Sequence, residues 1–292
     1  MKRAAVLLLV LGLFAVLATA AQADPPAHAK AVGQSPAEVA AYWTQERMRN
    51  AKPVELAAGG GKAAKSSYPF TRYEASTPYD ARHGKVFFSD GGGNYVCSGT
   101  AITSRNESVV WTAGHCVNEG PGANFTNWAF VPAYRDGAAP FGKWAARTLA
   151  TTSQWQQSGN HSYDLGAAVV ATNASGLSLT DVVGGRNLTF DSPADQRYLS
   201  HGYPAASPFT GGRLYICDAP RLGLRDTNMT SLPTMGIGCD MTGGSSGGGW
   251  VTVSGAVASV NSYHYKSLRN VMFGPYQGSV ARDLFTLAEG VS

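Results

Sequence analysis

Three segments of this 292-residue chain place a histidine, an aspartate and a serine in surroundings suited to acyl transfer. In Trp111-Thr112-Ala113-Gly114-His115-Cys116 an apolar stretch runs into His115, with a cysteine beside it. Histidine is the natural general base near neutral pH, and a disulfide next to it would limit its positional freedom. In Tyr163-Asp164-Leu165-Gly166-Ala167-Ala168-Val169-Val170 a carboxylate stands at the mouth of an apolar run. Burying that charge is costly unless it is hydrogen-bonded, and a histidine N–H is a suitable partner. In Asp240-Met241-Thr242-Gly243-Gly244-Ser245-Ser246-Gly247-Gly248-Gly249-Trp250 glycines flank two serines. They let the backbone approach a substrate and aim N–H groups at a developing oxyanion. Taken singly, each segment has a plainer reading: a packed histidine, a solvated strand-end aspartate, a Gly/Ser linker.

The elements that must hold these residues read as short strands. With 14% charged residues, 35 glycines and 15 prolines, the composition suits a turn-rich β protein better than a helical bundle. Strands are expected at Val86–Phe88, Tyr95–Cys97, Ser108–Thr112, Trp128–Val131, Leu165–Val170, Tyr198–Gly202, Leu214–Cys217, Gly249–Val253 and Ala256–Val260. Asp90–Asn94 lacks the Gly-Lys-Ser/Thr ending of a phosphate loop and reads as a hairpin turn. Ser279–Leu287 has Val280, Leu284 and Leu287 on one helical face, with Gly290 just beyond.

The front of the chain differs from the rest. Lys2 and Arg3, an apolar run to Ala18 and Ala21-Gln22-Ala23 form an export signal over residues 1–23, with the mature chain expected to begin near Asp24. The apolar run is short for a membrane span and no basic stop-transfer cluster follows it, so no membrane attachment is expected after cleavage. Residues 34–50 read as one helix, capped by Ser35 with Pro36 in its first turn and Glu38 completing a capping box. Beyond Lys52-Pro53 the sequence loosens into a Gly/Ala/Ser linker over 57–67. Residues 24–80 are therefore read as a pro-segment, with an extension retained in the mature protein as the alternative. Four cysteines in an exported chain suggest two disulfides; of three possible pairings we expect Cys97–Cys116 and Cys217–Cys239.

The net charge of +4 overstates the basicity of the working domain. Lys2 and Arg3 account for two of the four charges, and residues 24–80, with seven Lys/Arg against six Asp/Glu, for one more. That balance does not suggest a nucleic-acid partner. Only His115 and Cys116 are adjacent among the Cys and His residues, so no metal site is expected.

Thr112-Ala113-Gly114-His115-Cys116, then Asp164-Leu165, then Gly244-Ser245-Ser246-Gly247-Gly248 resemble the three signatures of trypsin-like serine proteases, in family order. The match spans about residues 85–290. The Thr-Gly-Gly-Ser-Ser-Gly-Gly form, with the leader and the 35–50 helix, is similar to bacterial secreted members, including the glutamyl-endopeptidase-like branch. The resemblance implies an all-β fold of two antiparallel six-stranded β-barrels with a short C-terminal helix. The domain would span 81–292, with the barrels meeting near 171–185. It implies an extracellular serine endopeptidase acting on proteins or peptides without a cofactor; a monomer is the default, because nothing in the pattern demands an interface. His115, Asp164 and Ser246 would be catalytic, and the Gly244 and Ser246 N–H groups would form the oxyanion hole. Ser246 is preferred to Ser245 because only Ser246 is followed by the Gly-Gly of the family pattern.

Departures from that pattern bear on activation and specificity. Ser245 stands where animal trypsins have an aspartate that pairs with a new N-terminus, so that ion pair should not operate. Gly249 replaces a usual proline, and Cys239 lies farther upstream of the serine. Asp240 sits at the offset where trypsins select Arg or Lys, but the shifted cysteine implies another loop path. Asp240 and Thr242 on one side and Asn261 and Ser262 on the other are the candidate substrate-binding residues, and His264 could bind an acidic side chain. His201 reads as ordinary packing. A binding module without catalysis, or an esterase, are the alternatives to an endopeptidase.

Overall fold

The computed structural model describes residues 25–54, 57–58, 68–229 and 232–292. The expected export signal at 1–23, the Asp24 start and nearly all of the 57–67 linker lie outside the described residues.

At the front, strand β1 (Ala27–Ala31) is followed by helices α1 (Pro36–Tyr42) and α2 (Gln45–Asn50), then by β2 (Lys52–Pro53), β3 (Ala57–Ala58) and β4 (Thr71–Glu74). The single helix expected over 34–50 is thus two. Its start is as read: the Ser35 side chain accepts from the Glu38 N–H, and Glu38 reaches back to the Ser35 N–H. The break at Trp43 has a tertiary cause. The indole is fully buried and donates Nε1–H to the Asn127 carbonyl at 2.5 Å, and Thr44 then caps the second helix through Arg47 N–H.

The next six strands, β5 (His83–Ser89), β6 (Asn94–Ile102), β7 (Val109–Thr112), β8 (Thr126–Pro132), β9 (Trp144–Thr152) and β10 (Gly166–Val170), form an antiparallel barrel in the order β9-β10-β7-β6-β5-β8. It closes where β8 pairs with β9. The Asp90–Asn94 turn joins β5 to β6 as a hairpin, with Asp90 Oδ1 accepting from the N–H groups of Gly92 and Gly93. Helix α3 (Ser153–Ser158) follows β9, and α4 (Leu179–Val183) lies between the two halves.

The second half contains β11 (Tyr198–Gly202), β12 (Tyr215–Ala219), β13 (Leu224–Arg225), β14 (Met235–Gly238), β15 (Gly249–Val251), β16 (Val257–Val260), β17 (His264–Tyr265) and β18 (Val271–Gly274). Its main strands run in two ladders, β16-β15-β11-β12-β4 and β13-β14-β18. The Cys217–Cys239 disulfide ties β12 to the end of β14, and Cys97–Cys116 ties β6 to the turn carrying His115. Helix α5 (Ser279–Glu289) closes the chain, burying Ala281, Leu284 and Ala288. This is the double-barrel β fold with a short C-terminal helix that the sequence predicts.

The front segment is built into the first barrel. β1 extends the sheet beyond β9, and β2 pairs in parallel with β6. Val39, Trp43 and Met48 are buried in one cluster with Phe87, Val96, Ala129 and Val131 of the barrel. Lys143 Nζ donates to the carbonyls of Ala40 and Trp43, and Tyr42 donates to Asn94 Oδ1.

Candidate active site

His115 lies in a one-turn 3₁₀ segment, Gly114–Cys116, directly after β7. Its neighbour Gly114 has no room for a side chain, since a Cβ there would meet the Trp155 ring at 2.8 Å and Asp164 Oδ1 at 3.0 Å. The missing methyl lets the turn close over Asp164. The carboxylate takes two bonds from His115: the backbone N–H reaches Oδ1 at 2.8 Å and ring Nδ1 reaches Oδ2 at 2.7 Å. The Ser262 hydroxyl also donates to Oδ2. Asp164 is wholly buried, and burial alone would push its carboxyl up. The attraction of His115 and the hydrogen bonds from His115 and Ser262 outweigh it and hold the group below its ordinary value, so the carboxylate stays charged. An ionised Asp164 fixes the proton of His115 on Nδ1 and turns Nε2 outward as the acceptor. Among the described residues His115 Nε2 is buried without a hydrogen-bond partner.

Ser246 is carried by the loop before β15 and is 6% exposed. Its carbonyl accepts from Ser98 N–H at 2.7 Å, and the next N–H, from Gly247, is held by the Asn261 carbonyl at 2.7 Å. Gly244 (φ +94°) and Gly247 (φ +79°) adopt backbone that side chains resist. At Gly247 a Cβ would also strike Thr112 Oγ1 at 2.0 Å. Ser245 is turned away, its hydroxyl bonded to the Thr242 carbonyl at 2.8 Å, so the two adjacent serines have different surroundings.

The four residues read as a substrate wall divide. Asp240 and Thr242 line a cavity of about 290 Å³ together with His264, Tyr265, Lys266 and Arg269. Asp240 does not stand there as an isolated charge, because Arg72 of β4 donates to its Oδ2 at 2.5 Å. Thr242 Oγ1 is bonded to the Ala206 backbone. Asn261 and Ser262 direct their side chains elsewhere. Asn261 is fully buried, accepting from Ser200 and Trp250 and donating to the carbonyls of His201 and Ser245, while Ser262 holds Asp164. His201 packs as expected: its ring stacks on His83 at 3.9 Å and Nδ1 meets the Leu199 carbonyl.

Two neighbours of the site carried no sequence signal. Trp155 of α3 lies 6.1 Å from the His115 ring, and His161 stacks on Tyr263 at 4.8 Å. Burial lowers the His161 pKa, with the His115 and Asp164 charges acting in opposite senses. Both residues come from the 153–163 connection, which has no motif of its own. Cys97, His115 and Cys116 lie close enough to share a metal ion, but the two sulfurs are bonded to each other and are not available as thiolate ligands.

Comparison with solved structures gives close relatives. The crystallised protease Anisep from Arthrobacter nicotinovorans is 46% identical, with a TM-score of 0.70, matching 76% of this chain and 100% of that one. A thermostable serine protease, AL20, from an extremophilic microorganism is 40% identical, with a TM-score of 0.68, over 73% of this chain and 99% of that one. A Glu endopeptidase shares the fold at 17% identity and a TM-score of 0.58, over 80% of this chain and 99% of that one. No family model and no curated protein matches the chain.

Proposed function

Because the chain belongs to the trypsin-like serine proteases, we propose that it is an exported endopeptidase that cuts peptide bonds through Ser246, His115 and Asp164. The observation that carries this reading is the buried Asp164 bonded at once to the backbone and to ring Nδ1 of His115. That arrangement presents Nε2 as a base. Ser246 Oγ attacks the scissile carbonyl carbon and its proton passes to His115 Nε2. The tetrahedral oxyanion is held by the N–H groups of Gly244 and Ser246. As the C–N bond breaks, His115 returns the proton to the leaving amine, and an acyl ester remains on Ser246. Water then enters with His115 again as base, releasing the carboxylic acid. Asp164 stays ionised throughout and stabilises the imidazolium.

The cavity lined by Asp240, Thr242 and His264 is the natural seat for the side chain on the acyl side of the cut. With Asp240 paired to Arg72, the charges left on its rim come from Lys266 and Arg269. This balance favours an acidic substrate side chain over a basic one. Residues up to about 67 act as a pro-segment, since β4 (Thr71–Glu74) belongs to the second-half sheet, and the absence of a trypsin-type aspartate at Ser245 fits activation without a buried N-terminal ion pair.

Hydrolysis of a mixed peptide library by the protein freed of its front segment tests this reading. Cleavage after Glu or Asp, lost in Ser246→Ala, is the expected result. Cleavage that survives in Ser246→Ala overturns the mechanism, and cuts after Arg or Lys overturn the assignment of the pocket.

A further inference from the structure

The front segment does more than cover the barrel, because two pieces of it, β2 with Val54 and then β3, bond to strands and a loop close in sequence to the candidate site residues. Lys52 and Pro53 pair in parallel with Tyr95 and Val96 of β6. Val54 follows, its N–H donating to the Val96 carbonyl at 3.3 Å and its own carbonyl accepting from Gly244 N–H at 3.1 Å. Ala57 and Ala58 then pair in parallel with His264 and Tyr265 of β17. The two pieces therefore touch both walls of the proposed cleft, and the first fills its oxyanion donor.

The direction of the two pieces is the informative feature. On the reading given above, a substrate seats its acyl side chain in the cavity beside His264, so its N-terminal side lies along β17. Its leaving side lies toward β6, where Cys97–Cys116 tethers the turn that carries His115. A cleavable chain thus runs from β17 to β6, antiparallel to both. Here the earlier piece, Lys52–Pro53, lies on β6 and the later piece, Ala57–Ala58, on β17, each parallel to the strand it pairs with. In that sense of travel the nitrogen that would leave from the Val54 carbonyl points toward β17, away from the side on which His115 can protonate it. The carbonyl occupies the oxyanion site and the amide survives.

We propose that Lys52–Val54 and Ala57–Ala58 act together as a built-in inhibitor that binds the substrate cleft in reverse, with the Val54 carbonyl in the oxyanion hole and α1–α2 as the anchor. This rests on the assignment of Ser246 and of the acyl side-chain cavity. The anchor has a further consequence. Val39, Trp43 and Met48 are buried against the barrel, so cutting the chain after residue 58 leaves the segment bound without a covalent link. The released segment is then an inhibitor in trans, and activity appears only when it dissociates or is destroyed.

Two measurements test the proposal. The first is the rate at which a fluorophosphonate labels Ser246 in the intact chain, in the chain nicked within residues 59–67, and in the nicked chain after the segment is stripped by mild denaturant and the protein refolded. Slow labelling in the first two and labelling at least ten-fold faster in the third are expected. Equal rates in all three overturn the inference. No labelling in any of them removes the function of Ser246 and the inference with it, and this outcome is distinct from the previous one.

The second measurement reads direction, in a Ser246→Ala background that cannot process itself. Mild oxidation should cross-link Lys52→Cys to Tyr95→Cys and leave Ala58→Cys unlinked to Tyr95→Cys. The opposite pattern means that the segment lies in the direction of a substrate and contradicts the reverse mode.

Discussion

At Asp164 the cost of removing a carboxylate from water is met by three hydrogen bonds, two from His115 and one from Ser262. The Ser262 bond is the part the sequence hid. Ser262 reads as pocket wall because its segment follows a strand opposite Asp240, and nothing in the local pattern says which way a serine hydroxyl turns. By contrast the contact of His115 with Asp164 was legible, because each sits in a short segment whose glycine, cysteine or apolar neighbours suit a buried pair. Replacing Asp164 by Asn removes the charge that fixes the ring, and kcat should fall by about 10⁴-fold, the size seen for this change in the general Ser-His-Asp template. Ser262→Ala removes one charge-assisted bond, worth about 1.5–3 kcal/mol, and should lower kcat by roughly ten-fold or more with KM little changed. Because that bond helps to hold the Asp164 carboxyl low, the carboxyl titration read by NMR of its side-chain carbon should move to higher pH in Ser262→Ala, a shift that a merely structural serine would not produce.

Between elements, the strands that contact across the two halves carry a buried polar stack. His83 of β5 and His201 of β11 lie ring on ring at 3.9 Å, and Arg186 donates Nε–H to His83 Nε2 while pairing with Asp80. Burial pushes both imidazoles down, His201 to about 4. An unfolded histidine titrates near 6.5, so as the pH falls below that value the unfolded chain takes up a proton that the folded His201 refuses. Stability is therefore complete above about pH 6.5 and is lost progressively toward pH 4, by on the order of 3 kcal/mol for this one group. Urea unfolding at pH 7.5 and 4.5 should show that loss, and His201→Gln should show a smaller one. Equal slopes in the two proteins would contradict the assignment.

The same scale explains which elements were hard to read. β9 is Trp-Ala-Ala-Arg-Thr-Leu-Ala-Thr-Thr and is almost wholly buried, so it lacks the alternation that marks a half-exposed strand. β14 is Met-Gly-Ile-Gly, a composition that argues against a strand until packing is known. Its Gly238 is required because a Cβ there would meet the Pro69 carbonyl oxygen at 2.6 Å. The break between α1 and α2 has neither proline nor glycine and follows only from where the Trp43 indole is buried.

For the whole molecule, the proposed site draws on both halves, and the disulfides join the pieces that composition leaves loosely tied. Cys217–Cys239 closes a loop with a sequence separation of 22 and bridges the two ladders of the second half. Its double replacement by serine should cost about 3 kcal/mol in denaturant unfolding. The sequence predicted both pairings, the double-barrel class and the order of the site segments. It did not reveal that β2 pairs with β6 and β3 with β17, because β2 and β3 are two residues long and carry no strand pattern. Their pairing depends on the shape of the surface that receives them.

In the proposed mechanism Ser246 is the nucleophile and His115 its base. Incubating the protein, freed of its front segment, with an activated acyl ester that deacylates slowly and mapping the adduct by mass spectrometry tests this most directly. One acyl group per chain is expected, on Ser246, and none in His115→Ala. An acyl group on Ser245, or peptide hydrolysis that proceeds while Ser246 stays unmodified, would contradict it.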